Sequence, residues 1–167
     1  MHEGGRGKGE SALRFFASYG IKPRGAARYL PEELSFDTAG HGERYCTVTL
    51  GDMYLGLDIA PDQRTVCAVS GLCPANTWTE TSRTPPPAPE GALLLDAEGC
   101  GLVQGCGYRC PGDWRMYRAP GTRTALAART DAQGLCADMQ AVRFLQNAVA
   151  VLSGKELVAV YIEDVDA

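Results

Sequence analysis

Apolar residues alternate with polar ones along Cys46, Val48, Leu50 and again along Met53, Leu55, Leu57, Ile59, the period of a strand with one buried face. Gly51-Asp52 and Pro61-Asp62-Gln63 supply reversals between these runs, so residues 44–70 predict three consecutive antiparallel strands. Elsewhere the spacing reads as helical. Ser11 suits a cap for a short helix over 12–19 that ends at Gly20, and a second short helix over 25–30 stops before Pro31, which can open a further turn. The longest predicted helix is 135–152, where Leu135, Met139, Val142, Leu145, Val149 and Leu152 recur every three or four positions and Gly154 closes the end.

Three further strands follow from pattern. Residues 92–96 and 100–104 form a hairpin across Ala97-Glu98-Gly99, residues 114–118 suit a strand with one wet face, and the apolar, β-branched run 157–162 belongs inside a sheet. Strands grouped between helices predict an α+β fold, a mostly antiparallel sheet of about six strands with helices packed on one face. Residues 1–10 are glycine-rich and charged and read as a disordered lead-in, leaving 11–167 as a single domain. Pro85, Pro86, Pro87 and Pro89 remove backbone donors from a loop at 80–91 and favour extended polyproline geometry.

Composition narrows the function classes. A formal charge of -4 on 167 residues argues against a nucleic-acid binder, and no apolar run reaches a membrane span. The N-terminus lacks a signal-peptide core, so a cytoplasmic, reducing setting is expected. Seven cysteines without close repeated pairs then read as free thiols, with Cys46 and Cys67 acting as small hydrophobes in strands.

Few residues carry a catalytic signature. His41-Gly42-Glu43 has the His-x-Glu spacing of zinc deaminases, but the Cys-x-x-Cys half of that motif is missing. Cys100, Cys106 and Cys110, joined by Cys73 or Cys136, offer thiolates for zinc, though only the 106–110 pair approaches metal-ligand spacing. A zinc- or thiol-dependent enzyme around His41, Glu43, Cys106 and Cys110 is therefore the alternative reading. The glycine-rich run Gly4 to Gly9 follows no strand, which removes the context of a phosphate-binding loop. No cofactor is implied.

Phe15-Phe16-Ala17-Ser18-Tyr19-Gly20-Ile21, Leu30-Pro31-Glu32-Glu33-Leu34, the strand meander with Leu57-Asp58 and Val66, and a late Phe144-Leu145 helix together resemble the SUKH superfamily. That superfamily is an α+β fold of bacterial toxin-immunity proteins and related proteins of large DNA viruses. The resemblance implies binding to another protein, in an immunity or host-virus role, rather than catalysis. The leading expectation is thus a non-enzymatic intracellular module that occludes a partner protein. Trp114, Tyr117 and Arg118 are its expected contact residues, because aromatic and arginine side chains are enriched at interface hot spots.

Overall fold

The computed structural model describes residues 13–40, 42–96, 101–131 and 139–166. These fold almost entirely into strands. The first sheet holds β2 (Ala26–Leu30), β3 (Ser35–Ala39), β4 (Cys46–Leu50), β5 (Gly56–Ile59), β6 (Val66–Leu72) and β9 (Gly107–Cys110), in the order β2-β3-β6-β5-β4-β9. The second holds β7 (Thr79–Glu80), β10 (Trp114–Ala119), β11 (Thr124–Arg129), β12 (Met139–Leu145), β13 (Ala148–Ser153) and β14 (Glu156–Ile162), in the order β12-β13-β14-β11-β10-β7. Pairing is antiparallel except where β9 joins β4 and β7 joins β10. A ribbon of β1 (Arg14–Tyr19) and β8 (Gly91–Asp96) completes the fold. The only helix among the described residues is one 3-10 turn, Ala75–Thr77.

The inward faces of both six-stranded sheets and of the ribbon meet in one hydrophobic core, which includes Val48, Leu57 and Val69 from the first sheet, Met116, Ala127 and Val160 from the second, and Phe15, Leu93 and Leu95 from the ribbon. Each large side chain fully withdrawn from water contributes about 1.5–3 kcal/mol, so this shared core makes the three sheets interdependent. The ribbon also bonds both sheets directly. Leu95 N donates to Arg64 O beside β6, and Phe15 N donates to Lys155 O at the β13–β14 turn.

The meander over 44–70 and the strands at 114–118 and 157–162 stand as predicted, the last lying between β13 and β11 inside its sheet. The α+β expectation does not. Residues 14–19 and 26–30 are strands, and 135–152 covers the hairpin of β12 and β13 with a turn at Gln146-Asn147, its first residues lying outside those described. The segments that carry the SUKH resemblance as helices, Phe15 to Tyr19 and Phe144-Leu145, are therefore strand residues. The expected hairpin of 92–96 with 100–104 is also replaced, since β8 pairs with β1 from Arg14↔Asp96 to Tyr19↔Gly91.

For 135–152 the physical reason is that the second sheet is buried on both faces. Leu126, Ala128, Val149, Val151, Ala159 and Tyr161 point away from the sandwich core yet stay buried in a second apolar cluster, against which Tyr117 and Ala88 pack. A strand apolar on both sides loses its period of two, and a helical subset can then be picked from it. Ala88 belongs to the proline-rich segment, which lies over this outer face with the Arg83 guanidinium 6.0 Å from the Tyr161 ring centre.

Candidate functional site

Five short segments enclose a groove of about 800 Å³. They are the β1–β2 connection, the β3–β4 loop, the start of β6, the start of β8 and the β12–β13 turn. The floor is apolar, built from buried Pro23, Val66, Ala92, Phe144 and Leu145, while Ile21, Lys22, Arg24 and Gln146 stand exposed at the rim.

Local chemistry fixes each wall. Gly25 adopts φ 80 and Gly40 φ 85, the left-handed region where a side chain is strained. A Cβ on Gly25 would come within 2.9 Å of Ala39 O, so glycine there lets the two loops converge. Gln146 N donates to Gly25 O at 2.9 Å and ties the β12–β13 turn to the same corner. Across the groove, Asp62 accepts from Arg64 N, Thr65 N and Thr65 Oγ1, setting the entry of β6. Burial pushes the Asp62 carboxyl up, but the Thr65 and Arg64 hydrogen bonds outweigh it and hold the group below the usual carboxylate range. Cys67 sits at a bulge where β6 loses register with β5, and its thiol reaches Asp58 O at 3.5 Å. Burial, then the neighbouring Asp58, raises the Cys67 thiol pKa, which keeps it neutral at physiological pH.

Six described cations lack a carboxylate partner, namely Arg14, Lys22, Arg24, Arg64, Arg83 and Arg118, and of these Arg64, Arg83 and Arg118 lie over aromatic rings. Eight cations are paired with carboxylates: Arg28, Arg44, Arg109, Arg115, Arg123, Arg129, Arg143 and Lys155. Lys22 and Arg24 have no ion-pair partner among the described residues, and no described carboxylate lines the groove with them. The site therefore presents two uncompensated positive charges above an apolar floor, an arrangement that attracts an anion with apolar neighbours. Composition alone passed over both residues. The sequence signal was the run Lys22-Pro23-Arg24-Gly25, two cations held on a short connection by proline and glycine.

The expected contact residues do not form one patch. Alternation along β10 places Trp114 and Met116 in the core and sends Tyr117 to the opposite, outer face. Trp114 is 4% exposed, its indole Nε1 donating to Pro111 O, so it offers no surface to a partner. Arg118 is half-buried, stacked 5.3 Å over the Trp78 ring and donating to Ala75 O. It lines a smaller cavity of about 190 Å³ with Arg123 and Asp166, which are bonded to each other.

The described residues of the enzyme alternative differ in burial. Glu43 and Cys106 are exposed, whereas Cys110 is buried on β9, where loss of solvent pushes its thiol up to about 12. A thiol so held is no thiolate nucleophile near neutral pH. Cys73 is likewise buried and raised to about 11. His41, Cys100 and Cys136 lie outside the described residues. Among the described residues, no three His, Cys, Asp or Glu side chains come together to hold a metal, and no helix is long and apolar enough to cross a membrane. No protein-family model and no curated protein matches the chain, so neither bears on the SUKH resemblance.

Proposed function

We propose that this chain is a non-catalytic binding module that captures an extended, acidic segment of a partner protein in the groove between the β1–β2 and β3–β4 connections. The observation that carries this reading is the pair Lys22 and Arg24, both exposed at the rim of one apolar trough that no described carboxylate lines. An extended chain turns successive side chains to opposite sides, so acidic residues can meet the rim while apolar ones settle on Val66, Ala92 and Phe144. Occupying the partner's segment is enough to block it, in keeping with the immunity or host-interaction role expected from sequence.

A fluorescein-labelled decapeptide alternating glutamate with leucine tests this by anisotropy against the full-length protein. The expected result is binding that weakens with salt, is at least tenfold tighter than for the glutamine counterpart, and falls at least tenfold in the Lys22→Glu/Arg24→Glu variant. Equal affinity for the two peptides, or indifference to the charge reversal, contradicts the proposal. So does free glutamate binding as tightly as the peptide.

A further inference from the structure

We infer that the proline-rich segment presents a ready-made polyproline ridge to a second partner, a protein module whose aromatic-lined slots read that helix. Four prolines at 85, 86, 87 and 89 fix φ near the polyproline value and supply no N–H, so the segment cannot join a ladder. Its ends are nonetheless fastened. Thr81 N donates to Arg118 O at 2.9 Å, and Arg143 N donates to Pro89 O at 2.9 Å.

Between those anchors the segment is partly seated on the protein. Pro85, Pro86 and Ala88 are half-buried, Ala88 against the outer cluster of the second sheet. Arg83, Thr84, Pro87, Pro89 and Glu90 are exposed. Pro87 and Pro89 are thus the prolines that offer most surface to solvent. Among the described residues, no carbonyl of residues 82–88 accepts a hydrogen bond. Free carbonyls on a proline ridge are what tryptophan and tyrosine donors of polyproline-reading grooves engage, beside slots that take the exposed Pro87 and Pro89. Arg83 stands at one end with its guanidinium only loosely held over Tyr161, so an acidic residue flanking the slots completes the match.

The geometry reduces the entropy cost of binding. A free proline-rich peptide must give up its remaining freedom when it docks, whereas this one is already held at both ends.

Calorimetric titration of the full chain with purified SH3 and WW domains, taken as representative polyproline readers, tests the inference. At least one domain should bind, and the Pro86→Ala/Pro87→Ala/Pro89→Ala variant should bind it at least tenfold more weakly, while the Lys22→Glu/Arg24→Glu variant retains it. Because alanine keeps the carbonyl at 89 that accepts from Arg143 N, and prolines donate no hydrogen bond to be lost, the triple variant should melt within a few degrees of the parent. Should it unfold, a synthetic peptide of residues 80–91 must instead compete with the intact chain for the domain. Absence of binding by every domain, undiminished binding by the folded triple variant, or failure of the peptide to compete would each overturn it.

Discussion

At the scale of single residues, the electrostatics centre on Arg129. Its guanidinium bonds both oxygens of Asp131, at 3.1 and 2.9 Å, and also Glu156 at 3.0 Å. These bonds draw the Asp131 carboxyl down to about 2. A carboxyl whose pKa is lower in the folded than in the unfolded chain stabilises the fold above the unfolded value, near about 4, and that contribution is lost as pH falls toward about 2. Asp131 is 47% exposed, so solvent screening keeps the gain under about 1 kcal/mol. Urea unfolding of the wild type and Asp131→Asn should therefore differ by that amount near neutral pH and converge as pH drops from about 4 to about 2. A gap independent of pH would contradict this assignment. Composition shows such groups only as scattered charges. Thr47, Asp58 and Ser70 are unremarkable in sequence, yet Thr47 Oγ1 and Ser70 Oγ each donate at 2.7 Å to a carboxylate with no exposed surface. Trp114, Tyr117 and Arg118 were legible as a strand, and strand alternation already implied that Tyr117 faces away from the other two.

At the scale of elements, one side-chain amide reinforces the backbone bond from Gln146 N to Gly25 O. Asn147, in the β12–β13 turn, accepts from Ala27 N and donates to Ala27 O, both at 2.8 Å, and donates again to Glu163 O at 2.7 Å. It thereby occupies the edge of β2 as another strand residue would, and links the first sheet to the second. Asn147→Ala leaves those buried backbone groups unpaired and should cost about 2–4 kcal/mol in urea unfolding, with unchanged denaturant slope. A loss under about 0.5 kcal/mol would show that the bracket carries no stability. The same turn explains why the longest element was misread. Gln146-Asn147 is a turn signal hidden in an apolar run, and Val142, Val149 and Val151 are β-branched residues that favour strands. Helical spacing survived on paper because both strand faces are buried. The meander over 44–70 stayed legible for the opposite reason. β4 keeps alternating buried and half-buried positions, and real turn chemistry, with Gln63 at φ 65, bounds the strand that follows.

At the scale of the whole molecule, two sheets and a ribbon share one core, and a proline segment covers the second sheet's outer face. The groove exists because the ribbon and both sheets bring five segments to one corner, a juxtaposition of residues 22, 66, 92 and 144 that no local pattern encodes. Long-range topology of that kind is invisible to periodicity, which is why the rim cations went unread while the core strands did not. The proposed docking place is this corner and not the face of β10. Amide chemical shifts of the isotopically labelled protein, followed while the glutamate–leucine decapeptide is added, test it most directly. Shifts concentrated at residues 21–25, 65–67, 91–92 and 144–146 are the predicted outcome, and shifts confined to residues 114–118 would contradict it.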